Sequence, residues 1–361
     1  MTLLGEKGRH PLDLEIPSPS STFRIGIIGA GGIVTGSHLP AYAERGWQVV
    51  HIASRSLDAA RSAAELFSIP KYTDDWHDVI NDDDVQIVDV SLPPHLHPEV
   101  CRAAFAAGKH VLAQKPMTMD LQTAYELVQE AKKAGVMFAV NQNGRFDPSI
   151  MACHKLIEDG VFGELVLANM QLRTRQPWQK FWEDEQYQRL MILGMSIHHL
   201  DQFRFLFGDP EEVTAVTARY PDQPWAGESI AIYTLRYSNG FIAHGFDNGF
   251  PWTKDWRVSW GLDGTEAIAQ GEIGWPTGGF STIRYMTRSA TDTWIEPTLT
   301  GKWFPDAFAG TMGALFEAVA TGKEPTNSGF ENLRTLRLVE ACYLSASEQR
   351  TVKLKEIRYE D

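Results

Sequence analysis

The run GIIGAGG at positions 26–32 sets glycines where a short apolar strand turns into the segment that follows. Glycine lets a backbone come close to something that a side chain would keep away. Gly29 suits the tight turn and Gly31 gives access to a pyrophosphate. The N–H groups of Gly32 and Ile33 open a helix whose N-terminus attracts anions. The third glycine of a strict G-x-G-x-x-G is replaced by Val34, with Gly36 two residues later. Dinucleotide binding is the chemistry that such a turn serves. The next strand ends in HIASRS, which offers no acid to hold a ribose 2′-hydroxyl. Arg55, flanked by Ser54 and Ser56, would instead supply charge-assisted donors to a 2′-phosphate. NADP is therefore the expected cofactor, with NAD possible. A second chemically loaded stretch is HVLAQKP at 110–116, an apolar strand ending on Gln114 and Lys115. It brings a cation to the carboxyl edge of its sheet, where ligands of open α/β folds bind.

Both stretches need a scaffold, and the surrounding pattern supplies one. From Phe23 onward, short β-branched runs alternate with helical ones: FRIGIIG, a helix through His38 to Glu44, QVVHIAS, a helix over 57–67, VQIVDVS (85–91), a helix near 98–107, HVLA, a helix over 121–134, and VMFAVN (136–141). Such alternation builds right-handed βαβ units on a parallel sheet, and strands this continuously apolar have both faces covered. After Asn141 the character changes. A helix over 149–159 leads into strands over 164–172, 211–220, 229–237 and 240–246, with helical segments over 195–208, 306–320 and 332–347 and a short closing strand, VKLKEI. Strands that follow one another without helices between them predict a large, open, mainly antiparallel sheet, and Asn239-Gly240 marks a hairpin. The expected division is an arm over 1–21, a doubly wound Rossmann domain over 22–142, and a substrate-binding and oligomerisation domain over 143–361.

Composition narrows the function. The 361 residues carry a formal charge of −13, with 33 Lys and Arg against 46 Asp and Glu. That balance and the lack of a clustered basic surface argue against a nucleic-acid partner. No stretch approaches the roughly 18 apolar residues of a membrane helix, so no membrane partner is expected. Cys101, Cys153 and Cys342 are odd in number and have no C-x-x-C spacing, which fits a reducing cytoplasm. No His, Asp and Glu cluster has ligand spacing, so no metal is expected.

Together with the glycine turn, the segments SLPPHLHPEV (91–100), AGKHVLAQKPMT (107–118) and IHHLD (197–201) make the chain resemble the Gfo/Idh/MocA oxidoreductases over nearly all of its length after the first twenty residues. The resemblance implies an NAD(P)-dependent enzyme moving a hydride between nicotinamide and a secondary alcohol or ketone of a sugar, inositol or related polyol. A large sheet left exposed needs covering, which favours a homodimer or homotetramer. Lys115 matches the lysine of the family's Glu-Lys-Pro motif, which touches substrate and cofactor ribose, and Gln114 stands in place of the acid. His198 and Asp201 match the family's helical histidine and aspartate, while Gly194 stands where an acid is expected four residues earlier. On a regular helix, residues 194, 198 and 201 would share one face. His198 is assigned as general acid and base, since imidazole titrates in the useful range. Lys115 is assigned to the reacting oxygen, and His199 to a structural role. The loop with Pro93, His95 and His97 is expected along the cofactor. Asn141, Arg145, Arg173, Trp178 and Asp201 are expected near substrate, Trp182 with them. A cofactor-bound sensor without turnover, or an NAD-dependent glycosidase, would use the same fold.

Overall fold

A computed structural model describes residues 18–175, 188–252, 256–275 and 278–359, and the chain divides into two compact units. One gathers Ile16–Asn143 with Phe304–Leu336, and the other gathers Gly144–Trp303 with Arg337–Arg358. Residues 1–17 of the expected arm lie outside the described residues. Further along the arm, Ser20 donates its backbone N–H to Glu317 at 2.8 Å.

The first unit is built on six strands: β1 (Ile25–Ile28), β2 (Val49–Ala53), β3 (Lys71–Thr73), β4 (Ile87–Val90), β5 (His110–Ala113) and β6 (Phe138–Val140). They lie in the order β3-β2-β1-β4-β5-β6, all parallel. This is the strand order of a dinucleotide-binding fold, with its ligand edge at the carboxyl ends of the strands. Helices α1 (Leu39–Glu44), α2 (Leu57–Phe67), α3 (Trp76–Asn81), α4 (His97–Ala106) and α5 (Leu121–Ala134) connect them. Local chemistry sets the helix limits. The Ser56 hydroxyl accepts the Ala59 N–H to start α2. Asp120 accepts the Thr123 N–H to start α5, which Gly135 ends in the left-handed conformation. The expected bounds of both helices match the structure. The short β3 and α3 are additions that sequence periodicity did not supply.

The second unit holds α6 (Pro148–Glu158), β7 (Leu165–Arg173), α7 (Ile197–Phe207) and strands β8 (Glu212–Ala218), β9 (Ile230–Arg236), β10 (Ile242–Asn248), β11 (Arg257–Gly264), β12 (Ala267–Ile273) and β13 (Thr282–Thr287). After α8 (Asp306–Thr321), which belongs to the first unit, come α9 (Gly329–Glu348) and β14 (Val352–Lys353). The sheet runs β13-β12-β11-β7-β10-β9-β8-β14 and is mixed, because β10 pairs with β7 in parallel while its other pairings are antiparallel. The Asn239-Gly240 hairpin forms as expected, but only Gly240 takes a positive φ, of 89°. The Asn239 side chain instead accepts the Phe241 N–H at 3.2 Å.

The core of the first unit shows why it needs the later segment. Phe308, Met312, Leu315 and Phe316 of α8 join Ile25, Ile27, Tyr42 and Ile52 in one buried cluster. Trp47 and Phe316 lie 4.8 Å apart between ring centroids. Among the described residues, no helix is long and apolar enough to cross a membrane.

Candidate active site

At the end of β1 the chain turns through Gly29 with φ +119°, and a Cβ there would sit 2.1 Å from the Ser91 carbonyl oxygen. Only glycine fits. Above Gly31 and Gly32 nothing lies within 4 Å of where a Cβ would be, so the backbone faces open space. Gly31, Gly32 and Ile33 are exposed, and the helix they open leaves its first N–H groups without helical partners. An exposed, side-chain-free turn at a helix start fits a pyrophosphate. Gly29→Ala is expected to cost about 2 kcal/mol or more of stability and to weaken cofactor binding at least about 100-fold. Thermal melting and tryptophan fluorescence titration with NADP measure these. Unchanged cofactor affinity would show that the turn does not hold the nucleotide.

At the end of β2, Ser54 is partly accessible and Arg55 is exposed, while the hydroxyl of Ser56 is committed to capping α2. At the end of β5, Lys115 is partly accessible, and burial pushes its ammonium down to about 8. The cause matters, since a cation disfavoured by desolvation sits close to the working pH of an enzyme. Pro93 and His95 are exposed. His97 is not. It is fully buried, with Nε2 2.8 Å from the Leu92 carbonyl and Nδ1 3.1 Å from that of Met117, and burial lowers its pKa. Its ring therefore ties the 92–96 loop to the chain just past Lys115, and a direct cofactor contact through it is not retained.

Asn141, expected near substrate, is also buried. Its amide meets Nε2 of His38 at 3.2 Å, and its Oδ1 accepts the Thr311 hydroxyl at 2.8 Å. It belongs to a polar network that sequence reading missed. His38 Nδ1 lies 2.7 Å from Oδ2 of Asp89, which also accepts the Tyr42 hydroxyl at 2.7 Å, while Ser91 donates to its Oδ1 at 2.9 Å. On the other side of the ring, Gln114 Nε2 lies 2.8 Å from His38 Nε2. His38 and Asp89 are 0% exposed. The visible signal was Asp89 itself, an acid inside the otherwise apolar run of β4, where an unpaired charge would be very costly.

In the second unit, His198 lies on the first turn of α7, buried edge-on to Trp303 at 5.4 Å between centroids. Residues 192–196 before it form a π-helical turn, so Gly194 does not have the regular i, i+4 relation to His198 that an α-helix would give. Glu228 holds the start of this turn by accepting the N–H groups of Leu190 (3.1 Å) and Ile192 (3.0 Å). Tyr343 buttresses it, donating to Glu228 at 2.6 Å. His199 is buried with Nδ1 2.9 Å from Asp247, in keeping with a structural role. Arg145 and Asp201, both expected near substrate, form a buried bidentate pair at 2.6 and 2.7 Å. Their opposing charges satisfy each other, so neither is kept as a substrate contact. Arg173 ends β7 with a buried Nε that has no hydrogen-bond partner among the described residues. Trp178 and Trp182 lie outside the described residues.

The parallel sheet, its strand order and the open glycine turn define a dinucleotide-binding fold. Residues 23–142 match the family model described as an oxidoreductase family with an NAD-binding Rossmann fold, and residues 150–267 match that of the GFO/IDH/MocA C-terminal domain. The chain belongs to the Gfo/Idh/MocA family. It is 26% identical over 370 residues to a D-apiose dehydrogenase of Paraburkholderia graminis, covering 94% of this chain and 91% of that relative. It is 27% identical over 390 residues to a scyllo-inositol 2-dehydrogenase (NADP(+)) of Bacillus subtilis, covering 98% and 99%. A solved levoglucosan dehydrogenase, in complex with NADH and levoglucosan, superposes with a TM-score of 0.81 over 92% of this chain and 100% of that one. At 20% identity that likeness speaks for the fold.

Proposed function

We propose that this protein is an NADP-dependent dehydrogenase or reductase acting on a secondary alcohol or ketone of a sugar, inositol or related polyol. The observation that carries this is Lys115, an ammonium lowered to about 8 on the same carboxyl edge of the parallel sheet at which the glycine turn opens. In this role Lys115 hydrogen-bonds the reacting oxygen and stabilises the negative charge that develops there. His198, in the second unit, takes the hydroxyl proton, an assignment supported by its match to the family motif. Bound nicotinamide would accept the hydride from the substrate carbon. The turn Gly29 to Ile33 would hold its pyrophosphate, and Ser54 with Arg55 the 2′-phosphate. Pro93 and His95 border the cofactor in the same proposal, and Arg173 offers its unpartnered donor to the substrate.

Incubation with NADP and a panel of sugars and polyols should produce the reduced-nicotinamide absorbance band. Release of an aglycone with no net cofactor change would replace the dehydrogenase with a glycosidase, and tight cofactor binding with neither outcome would leave a sensor. Arg55→Ser is expected to lower kcat/KM for NADP by about 10- to 100-fold, the value of one charge-assisted contact, while changing that for NAD less than about twofold. Equal losses with both cofactors would remove Arg55 from 2′-phosphate recognition.

A further inference from the structure

The network around His38 fixes where each proton lies. A backbone N–H can only donate, so the Gln114 atom 3.0 Å from the Lys115 nitrogen is Oε1, and the amide NH₂ faces His38. An amide NH₂ also only donates, so His38 Nε2 presents its lone pair to Gln114. The ring proton therefore sits on Nδ1, toward Asp89 at 2.7 Å. Each bond then points the same way: the Lys115 N–H to Gln114, Gln114 to His38, His38 to Asp89. His38 and Asp89 are sealed from solvent, so water cannot take over a lost partner. The titratable groups facing the ring are Asp89 from β4 and Tyr42 from α1. Gln114 after β5, Asn141 after β6 and Phe308 of α8 complete its surroundings without a titrating proton.

We infer that His38 is a positioning residue, which as the neutral Nδ1–H imidazole holds Gln114 in the one amide orientation that takes up the Lys115 backbone N–H, and so fixes the strand end from which the Lys115 side chain departs. Its importance for turnover rests on the proposed role of Lys115, but the network itself does not. A carboxylate at position 114 would demand the opposite proton arrangement. It would accept from Lys115 and from His38 Nε2, leaving an imidazolium between two acids.

Two spectra of the apoprotein decide the matter without any substrate. Long-range ¹H–¹⁵N correlation of ring-labelled histidines, with His38 assigned by its loss in His38→Gln, should show the Nδ1–H tautomer near neutral pH and conversion to the doubly protonated ring in Gln114→Glu. A wild-type Nε2–H tautomer or imidazolium would overturn the inference. In ζ-¹⁵N-lysine-labelled protein at about pH 6, the Lys115 peak, assigned with Lys115→Met, should keep its position in His38→Gln, whose side-chain oxygen can still accept from Gln114. It should move or broaden in His38→Asn, which keeps only the donor toward Asp89. An unmoved peak in both variants would make His38 merely structural. Once a substrate is in hand, His38→Asn should lower kcat by about 10- to 100-fold with the cofactor KM unchanged. If the panel yields no substrate, the proposed function fails while the spectra still decide the network.

Discussion

Lys115→Met is expected to lower kcat by about 10²- to 10³-fold and at the same time to make the protein more stable at neutral pH. The first effect is that of removing one donor from an oxygen on which charge develops. The second follows from the ammonium being pushed down to about 8 by burial. Between about pH 8 and the ordinary lysine value near 10.4, the unfolded chain holds a proton here that the folded chain does not. The cost of burying the charge is therefore fully present below about pH 8 and fades as pH rises toward the unfolded value. A methionine of similar length carries no such cost. For a fully desolvated group the shift would correspond to about 3 kcal/mol, but Lys115 is partly accessible, and about 1–2 kcal/mol is the reasonable gain. Calorimetric melts at about pH 7 and about pH 10 would show the variant ahead at the first and level at the second. A variant less stable at pH 7 would refute the buried-charge account. The wild-type profile of kcat carries the same information: if Lys115 must be an ammonium, activity falls through an alkaline limb near pH 8. A rise through that limb would instead make Lys115 the base, a role its lowered pKa also suits.

Residues 22–142 expressed alone should fail to fold cooperatively. Without Phe304–Leu336 the cluster under β1 and β2 loses Phe308, Met312, Leu315 and Phe316, and Asn141 loses its Thr311 partner. Truncating a single large core side chain costs about 2–5 kcal/mol, so losing four together costs about 8–20 kcal/mol, as much as the roughly 5–15 kcal/mol that typically holds a domain together. Far-UV circular dichroism with retained signal but no sharp urea transition is the expected outcome for the fragment. In the full chain, Phe316→Ala alone should cost about 3–5 kcal/mol. A fragment that unfolds as sharply as the whole protein would show that α8 is an accessory.

The nucleotide-binding half was legible because its signals are local. Gly29 must turn where a side chain would strike Ser91, Ser56 and Asp120 cap the helices that they precede, and β1 and β4 are apolar throughout except at Asp89. The return of α8 to this sheet was not legible, since an apolar helix does not record which sheet it will meet. In the second half, β12 alternates buried and exposed residues, yet Gly271 within it and Gly261 and Gly264 in β11 interrupt the pattern, and the sequence reading named only β7 to β10 with the closing strand. Among the proposed site residues, Lys115 and His198 rest on motif alone. Asn141, Arg145 and Asp201 had the right chemistry but the wrong partners, because a polar side chain can be satisfied by another as readily as by a ligand. His38 carried no signal of its own and became visible only with Asp89 and Gln114 around it.

Two π-helical turns lead to histidines: Val34–His38 ends on His38, and Ile192–Ser196 stops two residues short of His198. A π turn holds one residue more than the α-helical turn that could replace it. Deleting a single residue from either would let the segment relax into an ordinary α-helical turn, with what comes after it keeping nearly the same phase relative to what comes before. Each π turn thus absorbs one surplus residue inside its helix, so a chain one residue shorter at either place would still carry its histidine on nearly the same face.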